Sequence, residues 1–281
     1  MDDPQVYLNG KLTALSEAKV SVLDRGFIFG DGIYEVIPVY AGKMFRSEQH
    51  MVRLFRSLTA IGIPNPHTKV DWLNLLTQVM EAQSGTDQLL YIQVTRGVAK
   101  RVHAFPVDMV PTVFIMSNPL APISPEIRAK GVICVTMEDQ RWLHCEIKST
   151  SLLGNVLAAQ NAVEHAAVES IQFRDGYLTE GSSSNVWIVK DGVVNGPTRD
   201  NLILQGIRYE LLQELCADKQ IPMQERRVSR VEVFAADEIF LSSAGKEVLA
   251  VVQLDDQTIG NGVPGPIYHQ LYSSYQEAKC P

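Results

Sequence analysis

The sequence predicts a mixed α/β (α+β) fold in two domains, and not a single doubly wound parallel sheet. Three features predict it. Two-residue turn signals fold apolar segments into hairpins in both halves, helical apolar stripes lie between those hairpins, and prolines cluster near the middle of the chain. A length of 281 residues suffices for two ordinary domains with ample core. We place an N-terminal domain over residues 1–118, a linker over 119–126 and a C-terminal domain over 127–281. Sites favour clefts between domains, so functional residues are expected from both halves.

Each element has its own signal. Val6-Tyr7-Leu8 runs into Asn9-Gly10, a tight-turn pair. Residues 33–40 are rich in β-branched and aromatic side chains, break at Ala41-Gly42-Lys43 and return through Met44-Phe45. Ser47 and Glu48 open a helix with the stripe Met51, Leu54, Phe55, Leu58 and Ile61, and a second helix carries Trp72, Leu75, Leu76, Val79 and Met80. Residues 89–94 and 112–116 read as buried strands, and Pro119, Pro122 and Pro125 mark the linker. Beyond it, strands are expected at 132–136 and 141–147, a helix at 152–168, a hairpin turning at Asp175-Gly176, and a strand at 186–189 turning at Asp191-Gly192. A helix starts near Gly206, and strands near 238–241 and 248–254 precede a final helix.

Composition narrows the function. A net charge of −7 and a pI near 5.4 argue against nucleic acid as the main partner, so any anion site must be a local cationic pocket. Cys134, Cys145, Cys216 and Cys280 lack CxxC or CxH spacing and read as reduced thiols, with no metal site expected. The acidic Met1-Asp2-Asp3-Pro4 start is unlike a signal peptide, and no apolar run reaches the roughly 18 residues that span a bilayer. A cytoplasmic protein is the expectation.

The most informative stretch is Thr179-Glu180-Gly181-Ser182-Ser183-Ser184-Asn185-Val186-Trp187: one carboxylate among small hydrogen-bonding residues, just before an apolar strand. Upstream, Lys148 follows Trp142-Leu143-His144-Cys145-Glu146-Ile147 and precedes Ser149-Thr150-Ser151, which reads as a strand end. That context also fits a solvated lysine. An imine-forming lysine plus a fixed carboxylate is the minimum equipment for holding pyridoxal phosphate and using its ring as an electron sink. Lys246, in Ser242-Ser243-Ala244-Gly245-Lys246, invites a P-loop reading that fails because Phe240 stands where Gly is needed and Glu247 where Ser or Thr is needed. A hydrolase nucleophile elbow fails because Asn185 stands where Gly is needed. Arg101 and His103 alternate after a buried strand, so an extended backbone points both to one side, where they could clamp a carboxylate or simply be solvated. Arg53 lies beside the apolar stripe of its helix, the usual place of a surface residue, and Tyr34 is core by default with a hydroxyl free to reach a ligand.

Together these residues resemble the fold type IV pyridoxal-phosphate enzymes, the class IV aminotransferases, and within them most closely the D-amino acid aminotransferases. The resemblance spans nearly the whole chain and is densest in 24–40, 91–106, 138–161 and 179–187. It implies a smaller N-terminal α/β domain, a larger C-terminal pseudo-barrel domain and a homodimer. It further implies that Lys148 forms the Schiff base with pyridoxal 5'-phosphate and shuttles the substrate proton, while Glu180 pairs with the pyridine nitrogen. By the same resemblance Arg53 and backbone amides around Gly206, Ile207, Arg208, Ser243 and Ala244 bind the phosphate, and Leu204 packs on the ring. Tyr34, Arg101 and His103 would hold the substrate carboxylate, the last two across a dimer interface. Two positions depart from the family: Arg208 stands where Thr is common, and Ala244 replaces a hydroxyl, which leaves backbone N–H groups for the phosphate there, with Arg208 adding charge or facing solvent. The implied reaction is amino-group exchange between D-amino acids (D-alanine, D-glutamate) and 2-oxo acids (pyruvate, 2-oxoglutarate). A branched-chain L-aminotransferase, an aminodeoxychorismate lyase and an (R)-amine transaminase share fold and cofactor and stay open. So does a non-catalytic cofactor-binding protein, although the intact Lys148, Glu180, Arg101 and His103 argue against it.

Overall fold

Two hairpin-rich sheets, each with its own helices, divide the chain. The computed structural model describes residues 3–279; Cys280 and the first two residues of the acidic N-terminus lie outside them. One unit comprises the residues up to Ala121 together with Ile147–Leu152, and the other comprises Pro122–Glu146 together with the residues from Leu153. The segment carrying Lys148 therefore belongs with the N-terminal residues, where the sequence suggested an uninterrupted C-terminal domain over 127–281. Its backbone explains this: Lys148 O accepts from Tyr34 N at 2.9 Å, and Thr150 N donates to Gly32 O at 3.0 Å.

In the first unit β1 (Gln5–Leu8) and β2 (Lys11–Ala14) meet at Asn9-Gly10, both at positive φ, as a primed hairpin turn requires. α1 (Arg25–Phe29) is capped by the Asp24 carboxylate, which accepts from Gly26 N. β3 (Gly32–Tyr40) turns at Ala41-Gly42 into β4 (Lys43–Met44). α2 (Ser47–Ala60) follows, then α3 (Lys69–Glu81), which opens with a Thr68/Asp71 capping box. β5 (Gln88–Thr95) and β6 (Thr112–Pro119) complete a six-stranded sheet in the order β2-β1-β6-β5-β3-β4, with every neighbouring pair antiparallel. Met51, Leu54 and Leu58 of α2 and Trp72, Leu76 and Val79 of α3 pack on Ile33, Ile37, Leu90, Ile92 and Ile115 of the sheet.

In the second unit Ser124 caps α4 (Pro125–Lys130), with Pro125 in its first turn. The proline-rich linker is thus shorter than the sequence suggested, because Pro119 closes β6 and Pro125 opens α4. β7 (Val132–Glu138), α5 (Leu153–Glu164), β8 (Glu169–Arg174), β9 (Tyr177–Gly181), β10 (Asn185–Lys190) and β11 (Val193–Gly196) come next. α6 (Ile207–Asp218), β12 (Met223–Glu225), α7 (Arg230–Phe234), β13 (Glu238–Ser243), β14 (Glu247–Leu254), β15 (Gln257–Thr258) and α8 (Pro266–Lys279) finish the unit. The strands run β12-β11-β10-β13-β14-β7-β8-β9, with β15 on β14, and β7 lies parallel to both of its neighbours. The walk from β10 through β13, β14, β7 and β8 to β9 returns to its start through Ser182–Ser184, where Gly181 N donates to Ser184 O at 2.7 Å; this is the expected pseudo-barrel.

Residues 141–147 are not the strand their apolar content suggested. Trp142, Leu143 and His144 are exposed, and the backbone finds partners one at a time: Cys145 N donates to Asn201 O, and the Arg174 guanidinium donates to Arg141 O. Lys148 consequently follows an irregular loop rather than a strand. Among the described residues no helix is long and apolar enough to cross a membrane.

Trp72 is fully buried in the first core, with its indole N–H on Asn65 Oδ1 at 2.9 Å. Trp72→Ala should cost about 3–5 kcal/mol in urea unfolding. An unchanged unfolding midpoint would show that α3 does not seal that core.

Candidate active site

Strand alternation sets the first half of the site. Ile33, Glu35, Ile37 and Val39 all point inward on β3, which puts a carboxylate into an apolar face. A buried carboxylate needs partners, and α2 supplies two. Arg53 donates through Nε to Glu35 Oε1 at 2.6 Å and through Nη2 to Oε2 at 2.9 Å, while His50 Nδ1 lies 2.8 Å from Oε2. Arg53 is therefore buried, where its place beside the apolar stripe suggested a surface residue. Burial alone would raise the Glu35 pKa, but the Arg53 charge and hydrogen bonds, with His50, outweigh it and hold the carboxyl far below its ordinary 4.5.

The opposite face of β3 presents Tyr34. Lys148 Nζ lies 4.1 Å from the centroid of its ring, and the Tyr91 ring packs on the same ring, tilted by 31° at 5.8 Å between centroids. Lys148 N reaches Ser57 Oγ at 3.5 Å, one turn along α2 from Arg53. Within its own unit the Lys148 amine has no hydrogen bond or ion pair among the described residues, and its contact there is the Tyr34 ring. Arg101 and His103 lie in an exposed irregular loop, and both rest on Phe29: the guanidinium carbon and the imidazole centroid are each 5.4 Å from the ring centroid.

The second unit holds the other predicted residues. Glu180 is buried at the end of β9 and accepts from the Arg141 guanidinium, from Leu204 N at 3.1 Å and from Asn185 Nδ2 at 3.3 Å. Arg141 is also held by Asp139, through Nε at 2.9 Å and Nη2 at 2.8 Å. Burial disfavours the Arg141 cation, yet Glu180 and Asp139 together raise its pKa, so Glu180 faces a permanent positive charge. Asn185 links the remaining pieces. Its amide donates to Leu204 O at 3.0 Å, its Oδ1 sits where a side chain on Gly206 would have to be, and its backbone pairs with Ser242 next to Ser243. Glu180, Leu204, Gly206 and Ser243 thus gather around Asn185, and Gly206 is the one residue type that fits against it. Gly206 caps α6 with no side-chain hydrogen bond, which leaves the first helical N–H groups near Ile207 and Arg208 without that partner. The Arg208 side chain is buried and not solvent-facing, its Nε donating to the Tyr275 hydroxyl of α8 at 3.1 Å.

The serine run does not clasp Glu180. Ser182, Ser183 and Ser184 donate their hydroxyls, and Ser183 its N–H, to the fully buried Glu169, and Lys246 Nζ sits 3.2 Å from the same carboxylate and 2.9 Å from Ser183 Oγ. Lys246 is accordingly an ion-pair partner that ties the turn after β13 to the turn after β9. Ser243 Oγ accepts from Lys246 N at 3.1 Å in that turn, beside Ala244.

The family model described as "Amino-transferase class IV" matches residues 32–254, a span that takes in Tyr34, Arg53, Lys148, Glu180 and the β13–β14 turn. The chain belongs to the class IV aminotransferases. It is an enzyme, an aminotransferase. A D-alanine aminotransferase of Bacillus licheniformis is 38% identical over 274 residues, covering 98% of this chain and 96% of that one. One of Staphylococcus aureus (strain MSSA476) is 40% identical over 273 residues, covering 97% of each. The solved branched-chain amino acid aminotransferase of Escherichia coli superposes with a TM-score of 0.93 at 23% identity, covering 98% of this chain and 94% of that one, a likeness of fold.

Sequence reasoning did not find Glu35, His50, Arg141 or Asn185. Glu35 was legible, being a charge in phase with Ile33 and Ile37. Arg141 carried no signal of its pairing with Glu180, because that carboxylate lies 39 residues away and Arg141 itself sits in an irregular segment.

The depressed Glu35 pKa fixes the sign of a pH effect. Glu35 contributes its full stabilisation above its ordinary 4.5 and loses it as pH falls from there through the lowered folded value. The stability gap between the native protein and Glu35→Gln, read by urea unfolding, should be about 3–5 kcal/mol at pH 5 and should narrow below about pH 4.5. A gap that widens on acidification would contradict the pairing.

Proposed function

We propose that the protein exchanges amino groups between D-amino acids, of the D-alanine and D-glutamate type, and 2-oxo acids such as pyruvate and 2-oxoglutarate, using pyridoxal 5'-phosphate. The observation that carries this reading is the Arg101–His103 pair, both side chains packed on the Phe29 ring, in a chain about 40% identical to D-alanine aminotransferases.

The residues fit the cofactor. Among the described residues the Lys148 amine lacks an ionic partner in its unit, Glu180 is paired with the Arg141 guanidinium, and α6 begins without a side-chain cap, a setting favourable to a phosphate dianion. When bound, the cofactor supplies an electron sink for the pair left at the substrate Cα when its proton departs. Lys148 would hold the cofactor at its aldehyde carbon, and its amine, once the substrate's amino group has replaced it there, would take the proton from the substrate Cα and redeliver it. Glu180 holds a proton at the pyridine nitrogen. Arg53 and the N–H groups of Ile207, Arg208 and Ala244 hold the phosphate, helped by Ser243 and Gly206, while the Arg208 side chain stays with Tyr275. Leu204 packs on the ring. Tyr34, Arg101 and His103 hold the substrate carboxylate, and its side of the pocket decides which enantiomer presents its Cα proton to Lys148. The domain limits follow the two units, the working form is a homodimer in which Arg101 and His103 serve the neighbouring site, and the setting is cytoplasmic.

Mixing the cofactor-loaded enzyme with D-alanine should bleach the long-wavelength cofactor band, and L-alanine should leave it. Bleaching by L-alanine or a branched-chain L-amino acid alone would reassign the substrate. Arg101→Ala should lower kcat/KM for D-alanine by about 10- to 100-fold, the worth of one charged hydrogen-bond partner. An unchanged ratio would remove the carboxylate role of Arg101.

A further inference from the structure

Arg25 opens α1 and is 3% exposed, and its guanidinium is shared among four partners. Nε donates to Asp31 Oδ2 at 2.7 Å, Nη1 to the backbone oxygen of Val102 at 2.5 Å and, at 3.5 Å, to that of Ala104, and Nη2 to that of His103 at 3.2 Å. Its guanidinium carbon lies 4.9 Å from the centroid of the Phe29 ring, the ring on which Arg101 and His103 both rest. Asp31 is gripped from its other side by Arg96, through Nε at 2.8 Å and Nη2 at 2.9 Å, and Arg96 also donates to Ile61 O and Gly62 O just past the end of α2. Burial works against the Asp31 carboxylate, but the two arginines hold its pKa below the ordinary range, so the cluster stays charged.

The loop that carries Arg101 and His103 has little ladder of its own. Ala99 N donates to Leu23 O at 3.2 Å and Val102 N to Lys100 O at 2.8 Å, and residues 101–105 are exposed. A loop so open is free to move unless something fixes its carbonyls. Three consecutive carbonyls on one buried cation supply that fixation, and the shared Phe29 ring sets the side chains on the same support.

We propose that Arg25 is a positioning residue for substrate selection: by holding the carbonyls of residues 102–104 and the Phe29 ring, it sets the spacing and orientation of Arg101 and His103, and hence how tightly and on which side an amino acid's carboxylate is held. This rests on the carboxylate role given above to Arg101 and His103. Arg25 acts through them and not on the reacting atoms, so its loss shows in KM and in the D-to-L preference more than in kcat.

A double-mutant cycle on the cofactor-loaded enzyme tests this, with Arg25→Gln, Arg101→Ala and the pair, reading KM and kcat for D-alanine, kcat/KM for L-alanine, and propionate affinity by calorimetry. Arg25→Gln should raise KM by roughly 10- to 100-fold, as misplacement of a binding group by about 1 Å does, with kcat changed less than about threefold. It should weaken propionate in parallel and narrow the D-to-L ratio. In the double variant the loss should not exceed that of Arg101→Ala alone. If Arg25→Gln does not fold, Arg25→Lys, which keeps the charge and one donor, takes its place in the cycle with the same expectations at smaller size. Additive losses, or an unchanged KM and propionate affinity, overturn the proposal. If Arg101→Ala is itself silent, the carboxylate reading fails; if Arg101→Ala is damaging and the Arg25 substitution is silent, the positioning role alone fails.

Discussion

Burying a carboxylate in protein is costly unless a cation and hydrogen bonds meet it, and that constraint organises both units of this enzyme. Glu35, Glu169 and Glu180 are each withdrawn from water, and each draws in specific partners: Arg53 and His50, the three serines and Lys246, and Arg141 with Asn185. The partners come from different elements, so satisfying the charge also fixes the elements. Glu35 orients α2 against β3, Glu169 binds the two turns of the pseudo-barrel, and Glu180 draws the 202–206 segment onto the end of β9.

The same charges prepare the chemistry. A residue meant to protonate or bind a ligand works best on a rigid support already in place before the ligand arrives. Glu180 is held by Arg141, which Asp139 holds in turn, a chain of buried hydrogen bonds with little freedom to relax. Lys148 has the opposite environment: its backbone is fixed by Tyr34 and Ser57, while its amine rests on an aromatic face without an ionic partner in its unit among the described residues. A fixed stem whose tip rests on an aromatic ring suits the covalent role proposed for Lys148.

Much of this was legible in the sequence. The turns at Asn9-Gly10, Ala41-Gly42, Asp175-Gly176 and Asp191-Gly192 announce themselves because few residues adopt positive φ, and the stripes of α2 and α3 follow from helical periodicity. Lys148 and Glu180 stood out by local context. The strand expected at 141–147 failed because apolar content there does not reflect burial: Trp142 and Leu143 are exposed, and Arg141, the residue that matters, serves a distant carboxylate. Arg53 was misread because its partner Glu35 lies on another element, and the serine hydroxyls turn to Glu169, 13 to 15 residues upstream. Pairings between remote segments leave no periodic trace, which is why much of the charge network surfaced only with the fold.

The central claim is that the amine of Lys148 carries the cofactor covalently. Reducing the cofactor-loaded enzyme with borohydride and mapping its peptides by mass spectrometry tests it most directly. The account predicts a single phosphopyridoxyl adduct, on Lys148. An adduct on Lys246 or another lysine in its place, or none at all with the cofactor bound, would contradict it.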